Sequence, residues 1–145
     1  MESFDVVIAG GAVVGSAAAY FLSAHPGFTG SVLVLEPDPS YAHCATTRSL
    51  ASIRHQFSTP GNIRMSQFGT GFVRAAGELL AVDGVAPDVG FHEAGYLFLA
   101  SPEVRAILQA NHAVQRQCGV DVALLEPPLL AQRFAWLHTA DLAVG

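Results

Sequence analysis

What most constrains this chain is a stretch of small and apolar residues near its start, interrupted by glycines at short intervals. Val6-Val-Ile-Ala9 is rich in β-branched residues and stops at the pair Gly10-Gly11. Ala12, Val13, Val14 and Gly15 follow, then Ser16-Ala-Ala-Ala-Tyr-Phe-Leu-Ser23, a composition that favours helix. His25-Pro26-Gly27 ends that helix, because the proline ring biases its predecessor away from the α region and glycine accepts φ > 0. A second strand, Ser31-Val-Leu-Val-Leu-Glu36, closes on Pro37 and Pro39. Strand, glycine turn, helix and strand make a βαβ unit. A first strand without a polar face predicts a central position, covered on both sides.

Each piece of this unit has a chemical use. Gly10 lets the chain turn sharply out of the first strand, and Gly15 lets the helix press on the sheet, with Ala18 and Ala19 extending that small-residue face. The helix start presents unpaired N–H groups and a partial positive charge, which suit a pyrophosphate. Glu36, about 20 residues beyond Gly15, stands where a carboxylate accepts hydrogen bonds from ribose hydroxyls. The same charge repels a 2′-phosphate, which disfavours NADP. The middle position of the G-x-G-x-x-G pattern is Ala12, a departure, since glycine there lets backbone approach the phosphates.

Composition removes several alternatives. The 145 residues are 51% hydrophobic and 13% charged with a net charge of −5, which describes a globular chain rather than a disordered one. Acids outnumber bases 12 to 7 without a basic cluster, so no nucleic-acid partner is expected. All seven basic residues are Arg, which excludes a Walker lysine and a Schiff-base lysine among these residues. Val6–Leu22 carries no charge, yet its glycines and the acidic leader Met1-Glu-Ser-Phe-Asp5 argue against a membrane span or a signal peptide. Cys44 and Cys118 are too few for a disulfide scaffold or a structural zinc site, so a reducing, cytoplasmic setting is expected. The histidines lack ligand spacing and no metal is expected. A G-x-S-x-G nucleophile elbow is also missing.

After Glu36 an NAD domain would continue into another helix and a third parallel strand. Here the chain instead runs through a loop, 40–58, that is small and hydroxyl-rich, including Thr46-Thr-Arg-Ser-Leu-Ala-Ser-Ile-Arg-His-Gln-Phe-Ser58. Such a segment suits close passage along an extended ligand.

The runs "DVVIAGGAVVGSAAAYFL", "VLVLE" and "TTRSLASIRHQFS" resemble the amino-terminal part of FAD-dependent oxidoreductases of the D-amino-acid oxidase type. Ser-Ile-Arg-x-Gln-Phe-Ser is most similar to the sarcosine-oxidase-like branch, whose members include assembly factors. Several of these relatives also carry Ala at the middle glycine position. The resemblance implies FAD as cofactor, with Gly10, Gly11, Ala12, Val13, Val14 and Gly15 lining the pyrophosphate and Glu36 holding the adenosine ribose. Thr46, Thr47, Ser49, Leu50, Ala51, Ser52 and Ile53 would follow the diphosphate and ribityl chain. Arg54 and His55 fall where relatives carry basic residues near the flavin, and are the candidate catalytic residues. Arg48 replaces a small residue, which turns its side chain to solvent.

Beyond the loop, Thr59-Pro60 opens a long helix with Met65, Phe68, Phe72, Ala76 and Leu79 on one core face, ending near Gly84. Its glycines, Gly69, Gly71 and Gly77, weaken it. Phe91–Ala100 reads as a strand with a bulge or turn at Gly95, where relatives begin an antiparallel sheet under the substrate. Ser101-Pro102-Glu103 starts a helix carrying Val104, Ile107, Leu108, Asn111 and Val114 and stopping at Gly119. Val120–Leu125 suggests a short strand, and Pro127-Pro128 opens a final helix.

The expectation is therefore an α/β fold: a Rossmann-like βαβ FAD-binding unit (1–84, including loop 40–58 and the long helix) and the beginning of an antiparallel substrate or cap region (85–145). The chain reads as an incomplete, amino-terminal fragment of a larger enzyme, inactive alone. That enzyme would move a hydride from the α carbon of a small amine or amino acid to flavin N5, with oxygen or an electron carrier as acceptor. Alternatives are a 2-hydroxy-acid dehydrogenase of the same fold, a non-catalytic FAD-stabilised assembly protein, and an NAD-dependent dehydrogenase.

Overall fold

The computed structural model describes residues 3–145 and divides into two compact units, Met1–Ser52 and Ile53–Gly145. Of the acidic leader, Met1 and Glu2 lie outside the described residues.

In the first unit β1 (Val6–Ala9), α1 (Val13–Ala24) and β2 (Val32–Leu35) form the expected βαβ unit. The strands are parallel and in register from Val6 opposite Val32 to Ala9 opposite Leu35. The Gly10 N–H extends the ladder by one bond to the Leu35 carbonyl, at 2.8 Å. Helix α1 begins at Val13, three residues before the expected Ser16, because the Ala12 carbonyl already accepts the Ser16 N–H at 2.9 Å. It ends as expected, with His25 extended at ψ 121° ahead of Pro26. The small-residue face runs through half-buried Ala19, whereas Ala18 points outward. Two-sided cover of β1 is not met among the described residues: α1 covers one face, and Val7 remains 55% exposed. A sheet face needs a second layer to bury it, and in this unit only α1 lies against the strands.

A side-chain clasp starts the strand pair. The Ser31 N–H and hydroxyl both donate to the Asp5 carboxylate, at 2.7 and 2.8 Å, and the Asp5 N–H donates to the Ser31 hydroxyl at 3.2 Å. The backbone bond from Ser31, then its hydroxyl, holds the Asp5 carboxyl below the usual carboxylate range. A depressed folded value means stability that is present above the unfolded pKa of about 3.9 and is lost as pH falls through the folded one. Asp5→Asn should therefore lower the unfolding midpoint at neutral pH, and the gap to the wild type should close in acid. Thermal melts of both proteins across that range check it; a gap that stays constant with pH would refute the clasp.

The second unit is helical. Helix α2 (Pro60–Arg74) opens with proline in its first turn, as expected, and α3 (Ala76–Leu79) follows after a break at Ala75 (φ −91°, ψ 1°). The long helix expected to reach Gly84 thus stops at Leu79. Val82 and Val85 then pair in both directions, at 3.1 and 2.9 Å, around Asp83 (φ 51°) and Gly84 (φ 80°), the left-handed pair that a tight two-residue turn requires.

The core face of α2 also differs from expectation. Met65 and Phe68 are 66% and 63% exposed, whereas Ile63 and Thr70 are buried. Of the expected stripe only Ala76 is buried, with Phe72 half-buried and Leu79 exposed. Polar partners explain the rotation. Gln67 donates to the Cys118 carbonyl at 3.1 Å, and Thr70 meets His55 at 2.9 Å, so that face is satisfied by hydrogen bonds.

Residues 91–99 do not form the expected strand, because no ladder partner runs beside them among the described residues; Gly95 takes φ 77°, the turn its position suggested. The antiparallel sheet is reduced to one bridge, Ala100 with Val144, flanked by reciprocal bonds between Leu125 and Gly145 at 2.7 and 2.9 Å. Val120–Leu125 likewise has no assigned strand. A 3₁₀ turn (Pro102–Val104) leads into α4 (Arg105–Gln117), which ends at Gly119 in the left-handed region. Val104 and Ile107 of its expected apolar face are exposed, and the buried residue is Gln115, whose amide donates to the Phe57 carbonyl at 3.2 Å. Helix α5 (Pro127–Arg133) forms as expected and buries Leu130.

Candidate functional site

The site is the corner between β1, α1 and the end of β2. Gly10 has φ 97°, a conformation that L side chains rarely adopt, and a Cβ added there would meet nothing within 4 Å, so the outer side of the turn is open. Gly15 is glycine for a different reason. A Cβ on it would lie 1.8 Å from the Gly10 carbonyl oxygen and 3.2 Å from Ile8 Cγ2, so α1 can pack on β1 only without one. The Ser16 hydroxyl donates to the Gly11 carbonyl and ties the turn to the helix.

Helix α1 carries no side-chain cap at Ala12 and no acid in its first turn. Its positive end therefore faces outward, past Val13 and Val14, which are 60% and 80% exposed. Loop residue Thr46 reaches this end, its hydroxyl oxygen 3.4 Å from the Val13 N–H.

Glu36 occupies the other side of the corner. Its Oε2 accepts the Gly11 N–H at 2.7 Å and its Oε1 accepts the Asp38 N–H at 2.9 Å. Each oxygen keeps a further lone pair for an incoming donor. Asp38 in turn accepts from Ser40, whose hydroxyl and then N–H hold the Asp38 carboxyl below its usual range, and the Tyr41 N–H returns to the Asp38 carbonyl at 2.9 Å.

Other expected residues fare differently. The loop expected to run along a ligand is coiled into turns from Ala42 to Ser49. The Thr47 hydroxyl donates to the Tyr41 carbonyl at 2.6 Å and the Ser49 hydroxyl to the Thr46 carbonyl at 2.8 Å, so both serve the loop's own backbone. The Thr47 hydroxyl, then its N–H, also holds the neighbouring Cys44 thiol below its usual range. Leu50 is 95% exposed, Ala51 has φ 48°, and the Ser52 hydroxyl donates to the Leu50 carbonyl. Arg48 faces solvent, against the His43 ring.

Ile53, Arg54 and His55 belong to the second unit. The Arg54 guanidinium lies 5.1 Å from the centre of the Phe57 ring and 5.3 Å from that of Phe98, a cation between two aromatic faces. Ser66 donates to the Arg54 carbonyl, and His55 Nε2 pairs with Thr70. Among the described residues no group of three or more His, Cys, Asp or Glu is arranged to hold a metal, and no helix is long and apolar enough to cross a membrane.

A glycine turn open at Gly10, a helix start without a side-chain cap and the Glu36 carboxylate in one corner make a βαβ unit of the dinucleotide-binding kind. The chain belongs to the FAD dependent oxidoreductase family, whose model matches residues 5–145, and the cofactor is FAD. Its relatives include the "FAD-dependent oxidoreductase domain-containing protein 1" of Xenopus laevis, 43% identical over 99% of this chain, and that of Bos taurus, 42% identical over 99%. The Drosophila melanogaster homologue is 37% identical over 97%. The chain spans about 30% of the length of the frog and bovine relatives. No solved structure matches it significantly. The corner fits the adenosine diphosphate half of FAD, since no side chain fills the open side of Gly10 and both Glu36 oxygens retain acceptor capacity.

Sequence reasoning missed three features here. These are the Tyr41 side chain, the anchoring of Arg54 between rings, and the use of Thr47 and Ser49 within the loop. Only the first had a signal, an aromatic residue among the turn-formers Asp38-Pro-Ser-Tyr41.

Proposed function

We propose that this chain supplies the FAD-binding start of an oxidoreductase acting on a small amine or amino acid. The observation that carries the reading is the corner itself: the α1 start with the open Gly10 turn for the pyrophosphate, and Glu36 for the adenosine ribose. Thr46 would border the diphosphate, and Thr47 with Ser49 would shape the loop rather than touch the cofactor. Within this reading residues 1–84 make the FAD-binding segment and 85–145 begin the substrate-facing region.

The amine half of the proposal rests on Ser52-Ile-Arg-His-Gln-Phe-Ser58 and on the state of Arg54. Its guanidinium is steadied by two rings rather than neutralised by a carboxylate among the described residues, so its charge remains available to an anion. Arg54 would offset negative charge on the reduced cofactor, and His55 would hold that segment against α2 through Thr70. Bound FAD supplies the hydride acceptor at N5. This chain's residues bind and orient it.

The test is anaerobic mixing of the FAD-loaded full-length protein with small secondary amines and amino acids, and separately with 2-hydroxy acids. Bleaching of the visible flavin band by an amine or amino acid is expected. Bleaching by hydroxy acids alone would move the assignment to a dehydrogenase of the same fold, and bleaching by neither would remove turnover from the proposal.

A further inference from the structure

Among the described residues Tyr41 is the one aromatic residue whose backbone adopts the left-handed region, at φ 57°. For a bulky L residue that conformation is strained, and such outliers persist only where surrounding structure enforces them. Here it is enforced from three sides. The Tyr41 N–H donates to the Asp38 carbonyl at 2.9 Å, and its carbonyl accepts the Cys44 N–H at 3.2 Å and the Thr47 hydroxyl at 2.6 Å.

The side chain that this backbone carries reaches the cofactor corner. A Cβ built on Gly11 would lie 2.9 Å from the Tyr41 hydroxyl oxygen and 3.3 Å from Glu36 Cβ. The tip of the tyrosine thus occupies the space beside Gly11. The Tyr41 hydroxyl has no protein hydrogen-bond partner among the described residues, although a half-buried phenol ordinarily finds one. Its donor and its lone pairs are free in the corner that also holds Glu36, the residue that the proposed function assigns to the ribose.

We propose that Tyr41 is a cofactor-binding residue whose hydroxyl, beside Glu36, hydrogen-bonds the adenosine ribose hydroxyls of FAD. The inference rests on the proposed seating of FAD in this corner. Thr47 is the positioning residue behind it, its hydroxyl holding the Tyr41 carbonyl. Backbone strain is accepted at Tyr41 because a relaxed residue at that position would swing the ring away from Gly11.

Two variants of the full-length protein test this, titrated with FAD and, separately, with FMN, which lacks the adenosine half. Tyr41→Phe keeps the ring and removes one hydrogen bond, so FAD should bind about three- to tenfold more weakly, with FMN unchanged. Tyr41→Gly relieves the left-handed strain, so its unfolding midpoint without cofactor should hold or rise while FAD affinity falls further. If the wild type prefers FAD to FMN and both variants bind FAD as tightly as it does, the role of Tyr41 is overturned while the seating stands. If the wild type binds FAD no better than FMN, the seating itself fails. Should Tyr41→Gly not fold, Tyr41→Phe decides.

Discussion

Replacing Gly15 by alanine should unfold the first unit, while the same change at Gly71 should leave the protein intact or steadier. The two substitutions add an identical methyl group. At Gly15 it arrives 1.8 Å from a backbone carbonyl oxygen, and neither the turn at Gly10 nor β1 beneath it has room to yield without breaking the α1 contact. Overpacking of that kind, against backbone rather than a flexible side chain, belongs among the rare single changes that cost more than about 4 kcal/mol. At Gly71, exposed within α2, nothing lies within 4 Å, and alanine gains about 1 kcal/mol of helix propensity. Thermal melts of both variants and the wild type decide it: a Gly15→Ala protein that melts with the wild type would mean that α1 does not press on β1 as described.

Glu36→Ala should weaken FAD binding about tenfold to a hundredfold and leave FMN binding unchanged, on the seating proposed here. Two losses combine. The ribose loses a charged acceptor, and the N–H groups of Gly11 and Asp38, now bonded at 2.7 and 2.9 Å, lose theirs, at about 1–3 kcal/mol for each donor left buried. Glutamine should rescue little, because it offers one carbonyl oxygen where two carboxylate oxygens each receive an N–H, so its NH₂ must face a donor. Titration of both variants with FAD is the measurement. An alanine variant that binds FAD like the wild type would remove Glu36 from the site.

The parts of this protein legible in its sequence are those where one residue type alone meets a local demand. Gly10 and Gly15 announce the turn and the close packing of α1, Pro26 and Gly119 end helices, and Pro60 and Pro127 begin them. None of these depends on distant neighbours. The facing of α2 and α4 does. Met65, Phe68 and Phe72 make the apolar stripe, yet Thr70, Gln67 and Gln115 are turned inward because His55 and the carbonyls of Cys118 and Phe57 are there to satisfy them, and those partners lie up to 58 residues away along the chain. Periodicity counts apolar side chains and is blind to a polar side chain with a waiting partner. Residues 91–99 failed as a strand for a related reason: pairing is a property of two segments, and the sequence displays one at a time.

The candidate site divides in the same way. Gly10–Gly15 and Glu36 converge as their spacing indicated, since strand and helix geometry carry them there. The hydroxyls of the loop do not, because a threonine or serine in a turn finds the nearest carbonyl first, as Thr47 and Ser49 do. Tyr41 shows in the sequence only as an aromatic residue among turn-formers, and its place in the site does not, because its left-handed backbone is imposed by bonds from Asp38, Cys44 and Thr47 together.

The contact between Thr46 and the first amide of α1 gives that loop a part in guarding the helix start. A threonine oxygen at 3.4 Å is a long, weak tenant of a position that charge favours filling with an anion. On the proposed seating, the Thr46 hydroxyl cedes that position to a phosphate and stays at its border, while the Cys44 N–H and the Thr47 hydroxyl keep their hold on the Tyr41 carbonyl. The helix start is thus kept lightly occupied rather than bare until a better-charged guest arrives, and the loop itself need not be rebuilt to admit it.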